Sequence, residues 1–224
     1  MAGSCAFAMA LPMKHRILAA ALLAALPAPL FAQALPNNSA PATAQAEDLV
    51  PVALETSLGR IVIALDRGRA PISTANFLRY VDTHRLDGET FYRAMHMPAG
   101  SGVDGGLVQF GVRSDVRKLF PKIADEPSSK TGLKNVAGAI SMARNEADSA
   151  QADFFILLSD TPGFDAGGNA ADADGFAAFG HVTEGMDVVK KIFGAPTSAT
   201  KGEGVMKGQM LEPPVKILKA VRVK

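Results

Sequence analysis

The chain has 224 residues, 48% hydrophobic and 20% charged, a balance typical of a globular protein with one substantial domain. Its 23 Lys and Arg residues nearly match its 22 Asp and Glu residues, and no basic patch stands out along the sequence. We therefore expect neither nucleic acid nor an acidic membrane surface as a partner.

The first 34 residues have the pattern of a cleavable export signal. A basic stretch at 14–16 precedes a ten-residue apolar run at 17–26, and Ala-Gln-Ala at 32–34 is a small-residue cleavage site. Ten apolar residues cannot easily cross a bilayer core, which needs about 20. We expect residues 1–34 to be a signal peptide, with Met13 as an alternative start, and the mature protein to be periplasmic and free of the membrane.

The segment after the cleavage site is expected to be a disordered linker. Residues 35–48 are rich in Ala, Pro and Asn and have no periodic apolar face, so the folded domain should cover residues 49–224. This domain has no thiol, because Cys5 is the single cysteine of the chain and lies in the leader. Cysteine-based redox and metal chemistry are therefore excluded.

The domain opens with a predicted β-hairpin and a helix. Residues 52–56 and 60–66 have the composition and alternation of two strands, joined by a turn at 57–59. Pro71 suits the first turn of a helix, which an apolar stripe extends to about Asp82.

Residues 91–112 contain the two side chains of greatest chemical interest. Arg93 lies on a short β-type run, and Gln109 lies on a second run that follows a turn-rich connection. If these two strands pair, two strong hydrogen-bonding groups converge.

The second half of the domain alternates strands with long loops. Residues 113–135 are polar and punctuated by Pro and Gly, which predicts a surface excursion with little regular structure. Thr183 is predicted to N-cap a second helix that ends at Gly194. Further strands are expected at 140–142, 154–158, 177–182 and 215–223, and loops at 144–152 and 161–175. Many short strands with two helices argue for an all-β sandwich or barrel, and composition leaves that choice open.

Seven motifs follow one another along the chain: LETSLGRIVIALD, APISTANFLRYV, FYRA, VQFG, ISMAR, DFFILL and AAFGHVTEGMDVV. In this order they resemble the cyclophilin family of peptidyl-prolyl cis/trans isomerases, closest to its bacterial exported members, from about Val52 to Val223. The resemblance implies a mainly β fold, a closed eight-stranded antiparallel barrel capped by two α-helices. It also implies isomerase activity on proline-containing polypeptides with no cofactor and no metal, and we expect a monomer.

The resemblance also assigns roles to individual residues. Arg93 matches the family's catalytic arginine, Gln109 the glutamine that holds the peptide backbone, and Phe155 the floor of the proline pocket. Residues 142–144 match the edge that pairs with the backbone of the peptide. The positions expected to contact substrate are Leu107, Met142, Ala143, Arg144, Asp153, Phe164 and Phe176.

Four places depart from the family pattern. Gly106-Leu107 replaces Phe-Met, Asp153 replaces a glutamine, Gly163-Phe164 replaces an aromatic-Leu pair, and Phe176 replaces a histidine found in many members. Three of the new residues, Leu107, Phe164 and Phe176, could still line an apolar pocket. Asp153 near Arg93 could compete for the guanidinium and lower the activity.

Each assignment has an alternative. Arg93 could be an ordinary barrel arginine paired with a carboxylate, and Gln109 could merely satisfy loop backbone. Phe154 and Phe155 point to opposite faces of a strand, so one is expected in the core and the other at a pocket. The alternative function is a catalytically weak peptide-binding or chaperone module on the same barrel, and a hydrolase with a triad assembled only in space is a more distant one.

No metal site is predicted. The three carboxylates at 165–174 lack the spacing and the bidentate Glu of an EF-hand, which leaves at most a weak incidental ion site. The histidines of the domain have no ligand spacing.

Overall fold

A computed structural model describes residues 48–97, 105–113, 115–169 and 171–223. The predicted signal peptide and all of the predicted linker except Asp48 lie outside the described residues. Within those ranges no helix is long and apolar enough to span a membrane.

The strands of the described chain form one antiparallel sheet that closes on itself. Their bounds are β1 Leu49–Thr56, β2 Gly59–Asp66, β3 Thr90–His96, β4 Gly106–Gly111, β5 Ala139–Met142, β6 Asp153–Leu157, β7 Ala178–Glu184, β8 Thr197–Ser198 and β9 Met210–Arg222. Eight of them follow the order β1-β2-β7-β5-β6-β4-β3-β9, and the pairing of β9 with β1 closes the barrel. The short β8 pairs only with β9 among the described strands. The predicted eight-stranded antiparallel barrel is confirmed.

Two helices pack their apolar faces on the barrel. α1, Pro71–Asp82, begins with proline as predicted and buries Phe77 and Tyr80 in the core. α3, Met186–Phe193, buries Val188, Val189 and Ile192. Inside the barrel the ring of Phe77 lies 4.8 Å from that of Phe154 and nearly perpendicular to it, so edge-to-face aromatic packing supports the core.

The structure adds a third helix to the two predicted. α2, Ser128–Thr131, is a single turn within the excursion at 113–135, too short to leave a periodic pattern in the sequence. The excursion is tied to the barrel by Glu126, whose carboxylate accepts hydrogen bonds of 3.0 and 2.7 Å from the backbone N–H groups of Ile72 and Ser73. A carboxylate at this position satisfies free donors at the N-terminus of α1 and interacts favourably with its dipole.

Two predicted boundaries were wrong. Thr183 lies within β7, and the residue that caps α3 is Gly185, at φ +84°. A side chain on Gly185 would place its Cβ 2.2 Å from the carbonyl oxygen of Arg60, so only glycine fits this turn. The last strand begins at Met210 rather than at residue 215, because Pro213 and Pro214 lie where the pairing of β3 with β9 shifts register and no ladder N–H is needed.

Candidate active site

One cleft of about 620 Å³ runs over the outer face of the barrel wall. Every site residue predicted from the sequence lines it except Met142. The other lining residues are Met95, Lys122, Asn145, Glu146, Ser149, Gln151, Val205 and Met206.

Strand register places the three central residues side by side. Arg93 on β3 is directly opposite Gln109 on β4, and Gln109 is directly opposite Phe155 on β6. Directly opposed residues of paired strands project from the same face of a sheet, so the three side chains form a row across three neighbouring strands. The predicted pairing of the two strands that carry Arg93 and Gln109 is confirmed.

The Arg93 guanidinium is held by neutral amide oxygens. Its Nη1 donates to Oε1 of Gln109 and its Nε donates to Oε1 of Gln209, each at a distance of 2.8 Å. Within the described ranges no carboxylate lies within ion-pair distance of Arg93. Amide oxygens orient the guanidinium without neutralising it, so its positive charge is available to a ligand. Partial burial lowers the pKa of Arg93 from its usual value, which an arginine tolerates without losing its proton.

Gln209 is a contact of Arg93 that the sequence did not reveal. It precedes β9 and lies 116 positions from Arg93, so no local pattern joins the two residues. The backbone carbonyl of Gln209 also accepts a hydrogen bond of 2.9 Å from the N–H of Ala94, next to Arg93 on β3. Both contacts fix the position of Gln209 relative to the guanidinium.

Three phenylalanines form the apolar part of the cleft. The ring centroid of Phe155 lies 5.8 Å from that of Phe164 and 5.5 Å from that of Phe176, both nearly perpendicular. Leu107 packs in the same buried cluster. Phe154 faces the barrel core, as the alternation of the strand predicts. An apolar pocket therefore exists even though Leu107, Phe164 and Phe176 differ from the family pattern.

Met142 and Arg144 occupy other environments. Met142 pairs with Phe154, its side chain is buried in the main core, and its N–H donates to the carbonyl of Ala177. The side chain of Arg144 is only 3% exposed, its Nε lies 2.8 Å from Oδ2 of Asp125, and its Nη2 lies 2.9 Å from Oδ1 of Asp172. Because these two carboxylates bind the guanidinium of Arg144, we expect this residue to contribute to the cleft edge chiefly through its backbone.

Asp153 binds Tyr92 rather than Arg93. The Tyr92 hydroxyl donates to Oδ1 of Asp153 over 2.6 Å. Burial is the main cause that raises the pKa of Asp153, and the hydrogen bond from Tyr92 works in the opposite direction. The competition for the Arg93 guanidinium considered from the sequence is not seen among the described contacts.

Steric crowding explains why position 106 is a glycine. Gly106 has φ +156°, and a Cβ there would lie 1.9 Å from the carbonyl oxygen of Met95 on the paired strand. The same Cβ would lie 3.0 Å from the ring of Phe193 on α3. The close approach of β3, β4 and α3 at this point leaves no room for the larger residue of the family pattern.

Two of the three carboxylates of the glycine-rich loop at 161–175, Asp165 and Asp172, have protein partners among the described residues. Asp165 accepts hydrogen bonds from the backbone N–H of Asn135 at 2.8 Å and from its Nδ2 at 3.0 Å. Asp172 binds Arg144, which lowers the pKa of Asp172 from its usual value. These contacts hold the loop against the cleft.

Comparison with known proteins places these features in one family. The model of the "Cyclophilin type peptidyl-prolyl cis-trans isomerase/CLD" family matches residues 51–222. Peptidyl-prolyl cis-trans isomerase A of Dickeya dadantii is 39% identical over 63% of this chain and 70% of its own length. A peptidyl-prolyl cis-trans isomerase of Acinetobacter baylyi is 35% identical over 77% of this chain and 85% of its own length.

A solved structure shows the same fold. The cyclophilin type isomerase of Cryptosporidium parvum superposes with a TM-score of 0.61 at 17% identity, covering 79% of this chain and 98% of that one. The chain belongs to the cyclophilin family. It is a peptidyl-prolyl cis/trans isomerase.

Proposed function

We propose that this isomerase accelerates rotation about X-Pro bonds in unfolded or flexible exported proteins, with Arg93 as the donor to the prolyl nitrogen. The observation that carries this proposal is the placement of Arg93. Its guanidinium is bound by two amide oxygens over 2.8 Å and stands in a row with Gln109 and Phe155 in the cleft.

The chemistry requires no nucleophile, because rotation about an amide bond breaks no σ bond. The barrier of about 18–20 kcal/mol comes from amide resonance. As the bond twists, the prolyl nitrogen becomes pyramidal and its lone pair becomes a hydrogen-bond acceptor. A guanidinium aimed at this nitrogen therefore stabilises the transition state more than the planar ground state.

One hydrogen bond cannot supply the whole effect. A turnover of about 10²–10³ per second requires a barrier of roughly 14 kcal/mol, a reduction of about 4–6 kcal/mol. A charge-assisted hydrogen bond contributes about 1.5–3 kcal/mol. The remainder is assigned to the apolar pocket of Phe155, Phe164 and Phe176, which grips the proline ring, and to Gln109, which holds the neighbouring backbone.

The ligand class is supported by a related structure. A cyclophilin type isomerase of Cryptosporidium parvum has been solved in the presence of the dipeptide Ala-Pro, with a TM-score of 0.60 and 17% identity to this chain. A short proline-containing peptide fits the dimensions of a cleft of about 620 Å³ lined by three aromatic rings.

The cellular location follows from the N-terminal sequence. The basic stretch at 14–16, the apolar run at 17–26 and the Ala-Gln-Ala at 32–34 support export and cleavage after Ala34, and we assign the mature protein to the periplasm. Cell fractionation with N-terminal sequencing tests this assignment. An uncleaved protein in the cytoplasm would contradict it.

Refolding of a substrate protein tests the function itself. The substrate is a small protein whose slow refolding phase is limited by X-Pro isomerisation, and the enzyme is residues 35–224 at a molar ratio well below one. We expect the slow phase to accelerate in proportion to enzyme concentration, and to lose that dependence with Arg93→Ala. A well-folded wild type that binds the unfolded chain without accelerating the phase would instead indicate a peptide-binding module.

A further inference from the structure

Two apolar side chains stand at the rim of the cleft without a role in the proposed reaction. Val205 and Met206 belong to the 3-10 turn Gly204–Met206 that precedes β9, and both line the cleft. Val205 is 85% exposed, so its apolar side chain is open to a ligand in the cleft.

Hydrogen bonds fix the conformation of the turn that carries them. The N–H of Met206 donates to the carbonyl of Glu203 over 3.0 Å, and the N–H of Lys207 donates to that of Gly204 over 3.2 Å. The Gln209 side chain donates from Nε2 to the carbonyl of Val205 over 2.8 Å. Because Oε1 of the same side chain accepts from Arg93, one amide group fixes the distance between the Val205 turn and the guanidinium.

The strand order fixes the position of the turn relative to a bound peptide. β5, β6, β4, β3 and β9 are successive neighbours in the sheet. Along this order lie the edge at 143–144, then Phe155, then Gln109, then Arg93 and finally the Val205 turn. A peptide that pairs with the edge before its proline, and seats the proline on Phe155, leaves the cleft past Arg93 over Val205.

We infer that Val205 and Met206 form a subsite for an apolar side chain immediately after the proline. The subsite rests on the proposed function, since it takes its orientation from the proline in the Phe155 pocket. The exposed residues that flank the turn, Glu203 and Lys207, carry opposite charges, so the rim has no net sign that would favour a charged side chain. The rim therefore selects the side chain after the proline by apolar contact and not by charge.

A peptide series of the form Ala-X-Pro-Z tests the subsite, with Z as Leu or Ser and the isomerisation rate measured by NMR exchange. We expect wild type to have a kcat/KM about three- to tenfold higher for Leu than for Ser. Val205→Ser should reduce this ratio to near one. Val116→Ser is the matched control, because Val116 is 79% exposed on another 3-10 turn and does not line the cleft. The control should keep the wild-type ratio.

The outcomes separate the subsite from the proposed function. Equal rates for Leu and Ser with active wild type would overturn the subsite alone, as would a preference that Val205→Ser leaves unchanged. Peptides varied at the residue before X test the orientation of the bound peptide. A preference for Leu at that residue instead of at Z would overturn the orientation and thus the subsite. Failure of wild type to accelerate any peptide would overturn the proposed function and the subsite together.

Discussion

At the scale of the single residue, the site depends on which groups hold Arg93. Two amide oxygens fix the plane of the guanidinium, and neither carries a charge that would compete with a ligand. A carboxylate in the same place would bind the guanidinium more strongly and reduce its attraction for the prolyl nitrogen. The arrangement therefore combines orientation with an unneutralised charge.

The contact with Gln209 leads to the first prediction. Gln209→Ala removes an acceptor from Arg93 without touching the proline pocket, so we expect kcat to fall about three- to tenfold, with little change in KM for peptides that carry Ser after the proline. Gln209→Glu keeps the acceptor but adds a charge, and should also lower kcat. Lys207→Ala, an exposed change in the same loop, is the control. An unchanged kcat in both Gln209 variants would show that Gln209 does not position Arg93.

Asp153 gives a prediction about pH. Burial raises the pKa of Asp153, so the folded state binds a proton more readily than the unfolded chain. Stability contributed by this group is then highest at acid pH and falls as pH rises from the ordinary carboxyl pKa through the raised value. Asp153→Asn keeps an oxygen for the Tyr92 hydroxyl and removes the ionisation.

We therefore expect Asp153→Asn to increase the free energy of unfolding at about pH 7.5, by an amount that shrinks as pH approaches about 4. Urea denaturation at several pH values measures it. Asp187→Asn, on the exposed face of α3, is the control. A variant less stable than wild type at neutral pH would mean that ionised Asp153 stabilises the fold.

At the scale of the element, Arg144 joins three segments around the cleft. It contacts Asp125 of the excursion, Asp172 and the carbonyl of Gly175 in the glycine-rich loop, and it lies two residues after the end of β5. Its Cζ also lies 5.6 Å from the ring centroid of Phe176. One buried cation therefore holds the loops that shape both the backbone edge and the proline pocket.

Removing this cation should be costly. Arg144→Ala leaves the buried Asp125 without its partner, and we expect the free energy of unfolding to fall by about 3–5 kcal/mol in urea denaturation. Arg60→Ala breaks an exposed ion pair with Glu55, so it should cost less than about 1 kcal/mol. The double variant Arg144→Ala/Asp125→Ala should lose less stability than the two single changes added together. Strict additivity would contradict the coupling.

The elements also show what the sequence could and could not predict. The hairpin of β1 and β2 and the helix α1 follow from local alternation, a turn and a first-turn proline, and all were confirmed. The prediction that Thr183 caps α3 was wrong, because its hydroxyl donates to the carbonyl of Val62 on the paired strand. No local sequence rule reveals this contact. In the sequence, Pro213 and Pro214 predict that a strand cannot extend past them. Only the pairing of β9 with β3 shows that β9 continues on both sides of the two prolines.

The site was predictable to a similar extent. The pairing of Arg93 with Gln109 followed from two neighbouring strands, and the opposite faces of Phe154 and Phe155 followed from alternation. Gln209 and Val205 were missed because they meet the cleft only through the pairing of β9, more than a hundred positions along the chain from Arg93. Likeness to a family locates the residues of its motifs, whereas contacts between distant parts of the chain require geometry.

At the scale of the whole molecule, the barrel depends on its last strand. β9 pairs with both β1 and β3, so it closes the sheet and places Gln209 beside Arg93. Its side chains alternate between Ile217, fully buried in the core, and Leu218, 58% exposed.

Neighbouring substitutions on β9 test this closure. Ile217→Ala should lower the free energy of unfolding by about 2–5 kcal/mol, because it leaves a cavity in the core. Leu218→Ala, one residue along the same strand, should change it by less than about 0.5 kcal/mol. Urea denaturation of both variants measures the difference. Similar losses from the two changes would contradict the register of β9.

The role of Arg93 is tested most directly by the isomerisation rate of a short X-Pro peptide, measured with wild type, Arg93→Ala and Arg93→Lys of residues 35–224 at equal folded content. We expect a large acceleration by wild type. Arg93→Ala should lower kcat/KM by about 10–150-fold, the equivalent of one charge-assisted hydrogen bond. Arg93→Lys should recover only part, because a lysine lacks the fork that both glutamines hold. Full activity in Arg93→Ala would contradict the role assigned to the guanidinium.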